Sequence, residues 1–176
     1  FFAVTLPYTV VGFWNATIGL VLMRFAKDPL ALTCPAVATD DPSVPITEKT
    51  ALLLCIRNEE IGPVVRNLEA MIAGLVDRGV ADRFDVFVLS DSSWIDMVAA
   101  EEKAIAAIAE RNAGRISVTY RRRTDNPAYK AGNIRDFCER WGEGYAYAIV
   151  LDADSYMTAS SMNRLVRVMQ ANPAIG

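Results

Sequence analysis

The feature that most constrains the fold of this 176-residue chain is the alternation, after residue 50, of short apolar runs with stretches of helical periodicity. Residues 50–56, Thr-Ala-Leu-Leu-Leu-Cys-Ile, are apolar over a strand's length, the pattern of a strand covered on both faces. Ile61, Val64, Val65, Leu68, Ile72 and Leu75 then recur on one helical face. Pro63 sits in a first turn that tolerates it, and Gly79 lies just beyond the end. Residues 84–90 give a second strand. Residues 97–111 give a helix with Val98, Ile105 and Ile108 as its stripe and Gly114 as terminator. A third strand is expected over 115–120, a helix over 131–140, a fourth strand over 146–151 and a last helix over 160–171. Such a series predicts an α/β fold, a mainly parallel sheet with helices on both faces and right-handed crossovers.

Open parallel sheets bind ligands beyond the carboxyl ends of their strands, where the strand order reverses. The four strands here exit into Arg57-Asn58-Glu59-Glu60, Asp91-Ser92-Ser93, Arg121-Arg122-Arg123 and Asp152-Ala153-Asp154-Ser155. Asp152 and Asp154 stand one residue apart. Two like charges about 4 Å apart repel by about 4 kcal/mol at an effective dielectric near 20, so such a pair either holds a proton or attracts a cation. Magnesium takes one or two carboxylates plus phosphate oxygens and water, which suits a phosphate-bearing ligand. A solvated Asp-rich turn is the plainer alternative. Glu59 or Asp91, taken singly, could serve as a helix cap or first-turn carboxylate. The three arginines read equally as a solvated basic loop or as ligand contacts.

No Gly-x-Gly-x-x-Gly follows the first strand, and no Gly-x-x-x-x-Gly-Lys-Ser/Thr occurs, so neither a dinucleotide fold nor a P-loop is supported. A divalent ion on Asp152 and Asp154, helped by Lys130, would neutralise a diphosphate, leaving Asp91 and Glu59 for a base or ribose. That is a nucleotide-sugar arrangement.

Composition narrows the chemistry further. The net charge is −3, which gives no electrostatic case for nucleic acid. There is no histidine, so Ser-His-Asp and Cys-His triads, His-ligated zinc and an imidazole base are excluded within the chain. Cys34, Cys55 and Cys138 form no Cys-x-x-Cys pair and are expected as small buried side chains in a reducing compartment. Residues 1–23 carry no charge and are followed by Arg24 and Lys27. A transmembrane helix over 1–26 is therefore expected, with residues 27–176 on the cytoplasmic side; a buried helix of a soluble protein is the alternative. Residues 27–49, with Pro29, Pro35, Pro42 and Pro45, are expected as a linker lying over the surface or along the membrane, because proline at that density breaks helices and denies ladder hydrogen bonds. The chain opens without methionine, as a piece of a longer protein would.

Asn58-Glu59 after the first strand, Asp91 after the second, Lys130-Ala131-Gly132-Asn133 before a helix and Asp152-Ala153-Asp154 after the fourth strand resemble the ordered motifs of processive family 2 glycosyltransferases of the GT-A (Rossmann-like) fold. More narrowly, residues 84–92, 120–123, 132–142 and 150–155 are similar to the membrane glucosyltransferases that build the backbone of osmoregulated periplasmic glucans. The likeness covers residues 50–176, which would be the nucleotide-sugar-binding half of a GT-A domain. It implies UDP-glucose as donor, Mg2+ or Mn2+ as cofactor, a growing β-glucan as acceptor, inversion at the anomeric carbon and a place in the bacterial inner membrane. It also implies Glu59, Asp91, Lys130, Asn133 and Asp152 as nucleotide-sugar contacts, and Asp154 with Asp152 as metal ligands. Cys55-Ile56-Arg57-Asn58-Glu59 departs from the Pro-x-Tyr-Asn-Glu of many relatives, which removes an aromatic contact to the base. The family's Glu-Asp base motif and Gln-x-x-Arg-Trp acceptor motif have no counterpart before Gly176, so the general base is expected beyond it. Two other classes share part of the pattern. A haloacid-dehalogenase-type phosphatase uses the first Asp of Asp-x-Asp as nucleophile, although here Tyr156 replaces the usual Thr or Val. A membrane-anchored nucleotide sensor would need only the binding half.

Overall fold

The structure is a computed structural model that describes residues 2–175; Phe1 and Gly176, the outer limits of the expected span and domain, lie outside the described residues. In chain order the main elements are α1 (Phe2–Phe25), α2 (Pro29–Thr33), β1 (Thr50–Ile56), α3 (Ile61–Asp77), β2 (Phe84–Ser90), α4 (Ile95–Arg111), β3 (Ser117–Arg122), α5 (Tyr129–Trp141), β4 (Tyr147–Asp152) and α6 (Ala159–Ala171). The four strands form one parallel sheet in the order β3-β2-β1-β4, with Thr50 opposite Phe84 on one side and Tyr147 on the other. From β1 the chain builds outward through β2 to β3, then crosses back to place β4 on the far side of β1. The order therefore reverses between β1 and β4, and a crevice opens there at the carboxyl edge.

Side chains alternate across the sheet with period two, so one strand feeds two cores. Leu52, Leu54, Ile56, Val86 and Val88 pack with Leu68, Ile72 and Leu75 of α3, Ile105 and Ile108 of α4, and Met162 and Val166 of α6. Ala51, Leu53, Phe87 and Leu89 face the other way, against Phe137 of α5. There Phe87 meets Phe137 edge-on at 4.8 Å and Trp141 at 5.4 Å, and Tyr145 closes the cluster. Trp141 is thus a packing residue.

The element boundaries shift where turn chemistry intervenes. β3 begins two residues later than its apolar pattern suggests, because Gly114 (φ +78°) and the Arg115 N–H bond to the Asn112 carbonyl at 3.0 Å hold Arg115 and Ile116 in a turn. α6 begins at Ala159 because the Thr158 hydroxyl accepts from the Ser161 N–H at 3.2 Å.

Two expectations are corrected. Proline does not keep residues 27–49 free of helix. Pro29 opens α2 and Pro35 opens a 3-10 turn over Pro35–Thr39, since proline at a first helical position loses no intrahelical bond. The segment is then clamped along α6: Arg167 and Arg164 hold the Asp40 carboxylate at 2.7 and 3.0 Å, and Gln170 Oε1 accepts from the Thr47 N–H at 2.9 Å. Ile46 of the same segment is buried in the larger core. The cysteines differ too. Cys34 and Cys138 are exposed and only Cys55 is partly buried, because the first lies on the clamped segment and the second on the outer side of α5.

Helix α1 has the opposite character. Its stretch Thr5–Phe25 is apolar, long enough to cross a membrane and unburied by the other described residues. Thr9 and Thr17 donate their hydroxyls to the carbonyls of Thr5 and Phe13 at 3.1 and 2.8 Å, which satisfies these polar groups within the helix.

The core assignment carries a mutational contrast. Leu68→Ala, at a fully buried site on α3, is expected to cost about 2–5 kcal/mol in denaturant unfolding. Leu165→Ala, at a position 45% exposed on α6, is expected to stay within about 0.5 kcal/mol.

Candidate functional site

A cleft of about 500 Å³ opens at the β1/β4 reversal, and it is lined by Glu59, Asp91, Lys130, Asn133, Asp152 and Asp154 together with Cys55, Arg57 and Tyr129. The structure thus brings all six residues singled out in the sequence to one cavity. They arrive there by different local devices.

At the exit of β1, Asn58 adopts φ 53°, a left-handed conformation that asparagine tolerates better than most residues. Its side-chain oxygen accepts from the N–H groups of Ser93 and Trp94 at 2.9 and 3.2 Å, just ahead of α4. Its own N–H donates to the Ser92 hydroxyl at 2.7 Å. Asn58 therefore staples the first loop to the second, and Glu59 is presented to the cleft. Glu59 does not cap α3, whose N-cap is Glu60 without a side-chain bond.

At the exit of β2, Asp91 is only 3% exposed and receives a bidentate pair from Arg123, Nε to Oδ1 at 2.8 Å and Nη2 to Oδ2 at 2.7 Å. The hydrogen bond to Asp91 holds the Arg123 guanidinium above its ordinary value, against burial, which works the other way. Arg123 also donates to the Tyr129 carbonyl at 3.0 Å. Arg121 is buried as well, 3.2 Å from Asp136 and bonded to the Asn133 carbonyl at 3.0 Å, with its Nε and Nη1 unpartnered. Burial pushes its pKa down, and Asp136 opposes that. Arg122 donates to the Ser92 carbonyl at 3.1 Å. The reading of this triplet as a solvated loop is overturned: strand alternation and the following bend carry Arg121 and Arg123 inward as struts.

The start of α5 is the most constrained turn. Ala128 and Tyr129 both have positive φ, 56° and 47°, a conformation that costs non-glycine residues of order 1–3 kcal/mol each. The Arg123 bond to the Tyr129 carbonyl and the stacking of Arg57 over the Tyr129 ring at 5.5 Å hold it in place. Gly132 is required one turn later, since a Cβ there would lie 1.9 Å from the Pro127 carbonyl oxygen. Lys130 then reaches Asp152 as an ion pair. Asn133, nearly fully buried, donates to the Leu89 carbonyl at 3.0 Å and leaves its Oδ1 without a partner.

At the exit of β4, Asp152 and Asp154 are both exposed. The Ser155 N–H donates to the Asp152 carbonyl at 3.0 Å, and Asn67 of α3 donates to the Asp154 carbonyl at 3.2 Å, so the turn is anchored through its backbone while both carboxylates remain exposed, that of Asp152 paired with Lys130. Among the described residues no group of three or more Asp, Glu, Cys or His side chains is placed to hold a metal. The two aspartates offer a partial shell of hard oxygen donors, which fits an ion that takes its other ligands from phosphate and water.

Glu101 of α4 escaped the sequence reading. It is fully buried, and its carboxylate accepts from the hydroxyls of Ser92 at 2.5 Å, Ser90 at 2.6 Å and Tyr120 at 2.8 Å. Burial pushes the Tyr120 hydroxyl up to about 12, with Ser90 lowering and Glu101 raising it. The signal lay in spacing: Glu101 falls three residues after Val98 and four before Ile105, on the apolar stripe itself.

Fold and site together define an open α/β protein that gathers carboxylates, a lysine and an amide at its topological reversal. No protein-family model matches the chain. It is homologous over 99% of its length to proteins named glucans biosynthesis glucosyltransferase H, at 39% identity to those of Klebsiella pneumoniae and Escherichia coli K12 and likewise to that of Salmonella typhimurium. The chain spans about a fifth of the length of these relatives, 20% in each case. Among solved structures, an α,α-trehalose-phosphate synthase (UDP-forming) from Burkholderia vietnamiensis aligns with TM-score 0.38 and 11% identity, over 86% of this chain and 31% of its own, too loose a likeness to bear on function.

Two measurements follow from the site's packing. Arg123→Ala leaves the Asp91 carboxylate buried and unpaired and is expected to cost about 3–5 kcal/mol of stability, read by chemical denaturation. Burial pushes the Cys55 thiol up, so alkylation should label exposed Cys34 and Cys138 first and Cys55 last, read by peptide mass mapping.

Proposed function

We propose that this chain is the donor-binding part of a membrane-anchored family 2 glucosyltransferase of GT-A fold, which transfers glucose from UDP-glucose to a growing β-glucan with inversion. The observation that carries this reading is the convergence of Glu59, Asp91, Lys130, Asn133, Asp152 and Asp154 on one cleft at the β1/β4 reversal. The names of the homologues point to the same activity.

Lys130 sits at the first turn of α5, where the helix dipole and free N–H groups favour an anion, and its ion pair with Asp152 supports a role at the diphosphate. Asp152 and Asp154 would hold Mg2+ or Mn2+, which when bound neutralises charge on the departing diphosphate. Asp91 keeps one lone pair on each oxygen beyond its Arg123 bonds, enough to accept from a uracil N–H. Glu59, in the same cleft, would be left to hydrogen-bond the base or ribose. In this reading the carboxylate that takes the proton of the acceptor hydroxyl belongs to the Glu-Asp motif of the resembled family, which has no counterpart among these residues.

The flanking charges Arg24 and Lys27 favour the cytoplasmic side at the carboxyl end of α1, so residues 27–176 would face the cytoplasm from the bacterial inner membrane.

Titration calorimetry of UDP into the intact protein, purified in detergent, tests the proposal. UDP should bind with manganese present, and Asp154→Ala should weaken that binding at least about tenfold. UDP should also slow alkylation of Cys55, which lines the cleft. Failure of the wild type to bind UDP under any metal condition would sink the assignment. Residues 1–176 expressed alone should form no glucan from UDP-glucose, read by radiolabel incorporation.

A further inference from the structure

We infer that Glu101 is a positioning residue for donor binding, acting through Ser90 and Ser92 on the backbone that carries Asp91; the inference rests on the donor-binding reading above. Ser90 and Ser92 flank Asp91, and alternation of side chains sends both hydroxyls to the α4 side of the sheet while the Asp91 carboxylate points into the cleft. One buried carboxylate thus grips the residues on either side of the ligand-facing aspartate.

The hydrogen bonds have a fixed sense. A carboxylate only accepts, so the three hydroxyls around Glu101 all donate to it and their own lone pairs remain for backbone N–H groups. Ser92 uses that capacity to accept from the Asn58 N–H at 2.7 Å, and Ser90 to accept from the Ser92 N–H at 3.1 Å. The chain of bonds Glu101–Ser92–Asn58 therefore reaches the β1 exit, one residue short of Glu59. No lysine or arginine among the described residues pairs with Glu101, whose hydrogen-bond partners are the three hydroxyls. The third donor, Tyr120 of β3, completes the cage from the edge strand, meeting Glu101 and, at the end of β2, Ser90, but forming no hydrogen bond with Ser92 or Asn58 among the described residues.

This difference separates positioning from mere support of the core. In Glu101→Gln one of the two acceptor positions becomes an NH2 donor; at the Ser92 side it costs the Ser92 hydrogen its acceptor, whereas the opposite flip would leave both Ser90 and Tyr120 facing a donor. UDP affinity of the intact protein is measured by calorimetry, with melting temperature alongside, for wild type, Glu101→Gln, Ser92→Ala, their double variant and Tyr120→Phe. Glu101→Gln and Ser92→Ala should each weaken UDP about tenfold, and the double variant no further, because both break the same bond. Tyr120→Phe should lower the melting temperature yet bind UDP within about twofold of wild type. Affinity losses that add in the double variant, or that follow melting temperature across the set, overturn the inference. Should Glu101→Gln not fold, Ser92→Ala decides alone, and wild-type affinity there overturns it. Unchanged affinity in Glu101→Gln overturns this inference and leaves the donor assignment standing, whereas absence of UDP binding in the wild type overturns both.

Discussion

The bidentate bond between Arg123 and Asp91 ties the exit of β3 to the exit of β2, and through the Tyr129 carbonyl it also holds the left-handed turn that starts α5. Those three segments supply one side of the cleft. The other side, formed by the exits of β1 and β4, is joined to them by Asn58 and by the Lys130–Asp152 ion pair. Paired guanidinium and carboxylate groups of this kind have narrow angular tolerance, so the pair fixes direction as much as distance. A lysine in place of Arg123 would keep the charge and lose the fork.

The cleft combines groups of two sorts. Asp91 and Asn133 are buried and engaged by the protein, whereas Glu59, Asp152, Asp154 and Lys130 are exposed. Preorganised buried groups lower the reorganisation that ligand binding would otherwise demand. The exposed ones retain the freedom to trade one partner for another, and Lys130 in particular can leave Asp152 for a more highly charged anion.

Much of this was readable before any coordinates. β1 and β2 announce themselves because a strand covered on both faces has no polar alternation to obscure it, and parallel connection forces every exit onto one edge. That is why Glu59, Asp91, Asp152 and Asp154 could be placed together from spacing alone. The arginine triplet could not be read the same way, because a run of like charges ordinarily marks a solvated loop and its carboxylate partners, Asp91 and Asp136, are distant in sequence. Proline in residues 27–49 suggested irregular chain, whereas Pro29 and Pro35 each occupy a first helical position. Glu101 was hidden differently. A charge on an apolar stripe looks like a break in the pattern unless its hydroxyl partners on two strands are known.

The clamping of Asp40 by Arg164 and Arg167 has a spatial consequence. With α1 embedded in a bilayer as proposed, only the stretch from residue 26 to residue 39 separates lipid from the globular part, and even fully drawn out it spans no more than about 50 Å. That short leash, rather than the full length of residues 27–49, then sets how far the globular part can stand from the lipid.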